Sequence, residues 1–270
     1  MDACFSWLFS MFTPNGVPYE IAKQRFHTFD LVYFCQLSKW TAPFITLFSG
    51  KFVTHMGMIW KDPTTSELYL FESVRNSDTS QDVAFGGRVH AGVRLVLLAE
   101  KINRPTESYF ICVQSITMTD HKRRDAEPRL YDFIQRYINT PFEQNPTTML
   151  RSCLSPQTYG YTPEDTTSLY CSELVALALR ECNLLSIDNV SGVWITAFWS
   201  CKLMLNSGAQ LMAQKTWIQL CTATVSLPPI PTAIPSKTPA PTQKISTQDE
   251  LMSELMRRMS ARYCESIRYP

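Results

Sequence analysis

Residues 168–179 read SLYCSELVALAL. A short polar approach gives way to an alanine- and leucine-rich run, and Cys171 stands at the change. Leu174, Val175, Ala178 and Leu179 recur at helical spacing, which predicts a helix from about Ser168 to Arg180 with one apolar stripe. Asp165, Thr166, Thr167 and Ser168 are its candidate caps. Cys171 shares its side with Val175 and Ala178. Two readings compete for a thiol in that place. The ordinary one is a small buried hydrophobe at a helix start. The other is a nucleophile, because the first turn of a helix presents unpaired N–H groups and the positive end of the dipole, surroundings that favour a thiolate.

A nucleophilic thiol needs a base or an ion-pair partner, and imidazole is the usual one. The chain has four histidines: His27, His55, His90 and His121. His55 is the best placed. It lies in the segment KFVTHMGMIW (51–60), whose Val, Met and Ile residues suit a buried strand opened by Gly50. Gly57, two residues on, leaves room for close approach by another element. A turn at DPTT (62–65) leads into ELYLFES (67–73), where Leu68, Leu70 and Glu72 alternate onto one face. The two segments predict a hairpin with His55 on one strand and Glu72 on the other. From there Glu72 can accept from the distal nitrogen of His55 and fix its tautomer. The plainer expectation for Glu72 is a carboxylate on an edge strand, facing water. His27 and His90 fall near element edges, and His121 falls in the charged run HKRR (121–124), which reads as a solvated face.

Further strands are expected at Phe29–Leu37 (FDLVYFCQL), near Val93–Leu98 and over SYFICVQSI (108–116). KWTAPFITLF (39–48), broken by Pro43, reads as a short helix or wall segment; Trp40–Phe48 is a candidate apolar lining before His55, with core packing its plainer role. Gly86-Gly87 reads as a turn, not a phosphate-binding motif. Pro128 closes the polar patch TDHKRRDAE, and a helix from Arg129 to Ile138 follows with Leu130, Phe133, Ile134 and Tyr137 on one stripe. Polar loop is expected over 139–167, a helical or mixed segment over 193–205, and extended chain over KTWIQLCTATVSL (215–227). Residues 228–241 hold six prolines in fourteen positions, so 228–246 is a linker. In 247–267, Leu251, Leu255, Met259 and Tyr263 recur every four residues beside Arg257, Arg258 and Arg262. This predicts an amphipathic helix that packs on the body, meets a protein partner or lies on a membrane surface.

The bulk composition sets wide bounds. The 270 residues, 45% hydrophobic and 18% charged, suit one substantial domain with a tail or two modest domains, and the net charge of +1 gives no electrostatic argument for nucleic acid as a partner. Nine cysteines is an odd number without paired CxxC spacing, which speaks against a metal cluster and for free thiols in a reducing, cytoplasmic setting. MDACFSWLFSMF has no basic leader and no long apolar core, so neither a signal peptide nor a membrane span is expected. Nothing calls for a metal or an organic cofactor.

The blocks FSGKFVTHMGMIW, ELYLFES and LYCSELVALAL, in that order, resemble the circularly permuted branch of the NlpC/P60 papain-like superfamily, which includes bacterial and poxviral members. In that branch the histidine strand precedes the cysteine helix. Members show a segment like TGSKFSHVGI, a strand ending in a carboxylate, and a late helix opening CSE. Here His55-Met56-Gly57 and Cys171-Ser172-Glu173 match. Phe29-Asp30 stands where the family has Gly-Asp at the head of its entry strand, and no chemical role for Asp30 follows. The resemblance spans roughly residues 24–225 and excludes the linker and the final helix. It implies an α+β fold with an antiparallel sheet packed against helices. It also implies a Cys171–His55–Glu72 triad in a thiol hydrolase that cleaves an amide or isopeptide bond through an acyl-enzyme. Related lineages act on lipid acyl groups, so a lipid acyl hydrolase or acyltransferase at a membrane surface is a second expectation. A catalytically silent binding or structural protein is the third. Glu173, odd on an apolar helix, is expected to cap it, pair with an arginine or bound the site.

Overall fold

The computed structural model describes residues 16–35, 53–75, 91–103, 110–143, 165–187, 190 and 205–219. The expectations for 39–48, Gly86-Gly87, His90, 193–204, the proline-rich linker and the 247–267 helix lie outside these residues.

The apolar runs of the sequence become one seven-stranded sheet. Its strands are β1 (Val17–Pro18), β2 (Leu31–Cys35), β3 (His55–Lys61), β4 (Leu68–Val74), β5 (Gly92–Leu97), β6 (Phe110–Met118) and β7 (Ala209–Gln219). Their spatial order is β1-β7-β6-β2-β3-β4-β5, antiparallel throughout except for the β1–β7 pair. The fold is therefore α+β, and the sheet begins ahead of residue 24. Both faces are covered, which explains why β2, β3 and β5 read as nearly continuous apolar runs. One face carries Leu31, Tyr33, Met56, Met58, Phe71 and Leu95 against two long helices, α3 (Asp120–Tyr137) and α4 (Cys171–Glu181). The other carries Val32, Phe34, Ile59, Leu70 and Val96 against the short helices α1 (Tyr19–Ala22) and α2 (Leu98–Ile102).

Two helix boundaries differ from expectation. The TDHKRRDAE patch is not a loop before Pro128; it forms the first turns of α3, which runs through the proline. Thr119 caps it by accepting from the Lys122 N–H at 3.3 Å, and His121–Asp125 and Arg123–Glu127 pair one turn apart on its polar side. The burial of Ala126, Leu130, Phe133 and Ile134 offsets the one N–H that Pro128 lacks. The cysteine helix starts at Cys171, three residues later than read, and none of the four expected caps precedes it directly. Asp165 instead accepts from the Thr167 N–H and hydroxyl in a local turn, and Leu169 and Tyr170 run extended into the helix. The carboxylate of Glu173 accepts from the Tyr170 N–H at 3.4 Å, the capping role among those expected of it.

Asp30 is structural. It follows Phe29, whose φ of 79° turns the chain into β2, and it is fully buried. Its carboxylate accepts from the His27 N–H at 2.9 Å and from the Ile116 N–H at 3.2 Å. It thus joins the head of β2 to the irregularity in β6 between Gln114 and Ile116.

Candidate active site

The β3–β4 hairpin forms as the sequence predicts, with Met58 opposite Phe71 and Lys61 opposite Leu68. This register brings Gly57 against Glu72, and the missing side chain is what permits it. A Cβ on Gly57 would meet Leu70 Cδ1 at 2.7 Å, the Phe71 carbonyl at 2.9 Å and Glu72 Cβ at 3.2 Å. With that space open, His55 Nε2 lies 2.7 Å from Glu72 Oε2.

Glu72 does not face water. β5 continues the sheet beyond β4, and the Glu72 side chain is completely buried. Its second oxygen, Oε1, accepts from Arg94 Nε at 3.0 Å and from Arg94 Nη2 at 2.6 Å, with Lys101 Nζ at 3.1 Å. Arg94 is the residue directly opposite Glu72 on β5, and Lys101 comes from α2 immediately after that strand. Burial by itself would raise the Glu72 pKa, but the Lys101 and Arg94 charges and the His55 contact outweigh it and hold the carboxyl well below its ordinary range.

An ionised Glu72 is acceptor-only, so His55 Nε2 must carry the proton toward it, and Nδ1 is left for another partner. Cys171, the first residue of α4, faces the imidazole and helps to raise the His55 pKa. Burial would lower the His55 pKa, yet its contacts with Cys171 and Glu72 and the charges of both raise it above the usual value. The Phe34 ring, across the β2–β3 register from His55, sits 5.5 Å from the imidazole and bounds it on the β2 side.

The approach to Cys171 is tied to the same strand. Ser73 Oγ, next to Glu72, donates to the Leu169 carbonyl at 2.6 Å. The Leu169 N–H donates to Pro141, and Thr140 accepts from the Val93 N–H on β5. Gly92 begins that strand at φ 110°, and a Cβ there would stand 2.6 Å from the Thr140 carbonyl. The start of α4 is thereby anchored to both β4 and β5.

The structure brings together the three residues that the sequence singled out, Cys171, His55 and Glu72. His121 is on the surface, its side chain 81% exposed. His27 and Asp30 lie at the head of β2, held to each other and to β6. Sequence reading did not single out Arg94 and Lys101. The available signal was an arginine inside the otherwise apolar strand GVRLVL, one strand away from Glu72.

Among the described residues there is no cluster of histidine, cysteine and acidic side chains able to hold a metal ion, and no helix long and apolar enough to cross a membrane. The described thiols Cys112, Cys171 and Cys182 are all unpaired, and only Cys171 is not buried.

No protein-family model matches the sequence, and no curated protein matches it either. Among solved structures, the chain is similar to metalloprotein yiiX from Escherichia coli O157:H7, of the DUF1105 group. The identity is 15% and the TM-score 0.38, over 58% of this chain and 66% of that one.

Proposed function

We propose that the chain is a thiol hydrolase of the permuted NlpC/P60 papain-like kind, acting on an amide or isopeptide bond. One observation carries the reading: a helix-start cysteine faces an imidazole whose Nε2 donates to a buried, ionised carboxylate. A core thiol has no need of that arrangement, and a nucleophile does.

In this mechanism the Cys171 sulfur attacks the substrate carbonyl carbon while its proton passes to His55 Nδ1. Glu72 holds the imidazole in the correct tautomer and stabilises the imidazolium. The Cys171 N–H, one of the first-turn donors without an intrahelical acceptor, faces the developing oxyanion. The tetrahedral adduct collapses: the C–N bond breaks, and His55 returns the proton to the leaving amine. Water then adds to the thioester and gives its proton to His55. The S–C bond breaks, freeing the acid product and restoring the thiol.

The test is capture of the acyl-enzyme. A panel of peptide, isopeptide and acyl-lipid substrates is incubated with wild-type protein, and intact mass is read after an acid quench. An adduct on Cys171 that is absent in Cys171→Ala supports the reading, and the substrate that forms it identifies the bond. No adduct and no turnover with any panel member, in protein whose Cys171 is free, contradicts it.

A further inference from the structure

Two cations converge on one oxygen of Glu72, and they differ in kind. Arg94 presents two nitrogens of its planar fork to Oε1, which fixes the carboxylate in place. Lys101 brings a compact charge to the same oxygen from a different element, α2. Its side chain is buried, against the habit of lysine, and its ammonium stands 5.9 Å from the centre of the Phe34 ring. That ring is the one beside His55. Both cations hold the carboxyl ionised against its burial, Lys101 more strongly than Arg94.

We infer that Lys101 is a positioning residue that sets the protonation range of His55 by drawing on the same carboxylate. Among the described residues, the charged groups facing His55 are Glu72 from β4 and, through Glu72, Arg94 from β5 and Lys101 from α2; Cys171 faces it from α4, and Phe34 from β2 is uncharged. A positive charge behind the carboxylate opposes imidazolium formation, so Lys101 lowers the pH at which His55 takes up its proton. Removing that charge leaves more of Glu72's field to His55 and shifts its titration upward. The consequence for activity rests on the thiol-hydrolase reading: Lys101 would keep the proton on His55 labile enough to be passed to a leaving group near neutral pH. The electrostatic relation itself does not rest on it.

The test is an NMR titration of the His55 ring protons, made in Cys171→Ala protein so that the thiol does not couple to the imidazole. His55 is assigned among the four histidines by the signal lost in His55→Gln. Lys101→Met should raise the His55 midpoint by roughly one pH unit, the size expected for charges a few ångströms apart at an effective dielectric of about 20. Lys101→Arg, which keeps the charge, should leave the midpoint where it is. Lys101→Gln gives the same reading if the Met variant does not fold. An unmoved His55 midpoint in folded Lys101→Met or Lys101→Gln overturns the inference and leaves Lys101 a packing residue. Substrate capture fails or succeeds separately, so a silent site with a shifted His55 would sink the hydrolase reading and keep this one.

Discussion

Glu72 Oε2 meets His55 Nε2 at 2.7 Å, and no part of the carboxylate reaches solvent. A buried carboxylate opposite an imidazole is costly unless cations compensate it, and here Arg94 and Lys101 do. The acid is thus part of a charge cluster built into the centre of β4, β5 and α2, with its free oxygen aimed at the histidine.

Glu72→Gln keeps the size of the side chain but removes the anion that Arg94 and Lys101 both contact. The loss should be about 3–5 kcal/mol, the cost of breaking a buried pair from one side. Denaturant midpoints measure it. Adding Lys101→Met to Glu72→Gln should recover part of the loss, because one of the two buried charges that lost this anion is gone. A double variant no more stable than Glu72→Gln would show that the Lys101 charge is compensated elsewhere.

Gly57→Ala should damage the site out of proportion to its one methyl group. The new Cβ falls against the Phe71 carbonyl and Glu72 Cβ, where no side-chain rotation can make room. We expect about 1–3 kcal/mol of lost stability from overpacking, together with weaker coupling of His55 to Glu72. The paired readings are thermal unfolding and the His55 NMR midpoint. An unchanged midpoint would mean that the hairpin spacing does not govern the contact.

Asp30 gives a pH signature of opposite sign to Glu72. Burial pushes its carboxyl up to about 6, even though the N–H groups of His27 and Ile116 oppose the rise. A raised carboxyl pKa means that the neutral acid is the form the fold favours. Its stabilising contribution is full below about 3.8 and fades as pH rises through about 6. The opposite holds for Glu72, whose contribution is present above about 4.5 and lost on acidification. The stability difference between wild type and Asp30→Asn, taken at pH 4 and pH 7, isolates the first group. It should move by roughly 3 kcal/mol in favour of Asn as pH rises. A difference independent of pH would contradict the buried placement of Asp30.

Pro128→Ala should stabilise the protein, since α3 carries the proline in its interior. The gain should be about 2 kcal/mol, set by the helix penalty of proline less the chain entropy it removes from the unfolded state. Urea midpoints read it directly. No gain would indicate that α3 is bent to suit the proline and keeps that bend without it.

Much of the site was legible in the sequence because strand hairpins and helix starts are local. The spacing from His55 to Glu72 across DPTT is short enough for the turn to set the register, and the apolar run after Cys171 marks a helix. What escaped was the part decided by distant packing. Arg94 and Lys101 gain their meaning only when β5 lies beside β4, a pairing that no local pattern announces. The plainer alternative for Glu72, an edge-strand carboxylate facing water, stayed open in the sequence for the same reason, because nothing nearby says that another strand covers its flank. The α3 start was misplaced because Pro128 is a strong local breaker, overridden by the burial of Ala126, Leu130 and Phe133. Asp30 carried no role in sequence, since its partner N–H at Ile116 lies far along the chain.

The central claim is that Cys171 and His55 work as a pair, and selective alkylation tests it most directly. Wild-type protein and His55→Ala are treated with limiting iodoacetamide across pH 5 to 9, and adducts are located by peptide mass. Cys182, pushed up to about 12 by burial, and Cys112, pushed higher still, serve as internal references. The account predicts that Cys171 labels well ahead of both and that His55→Ala slows it at least tenfold near neutral pH. Labelling of Cys171 at a rate indifferent to His55 would contradict it.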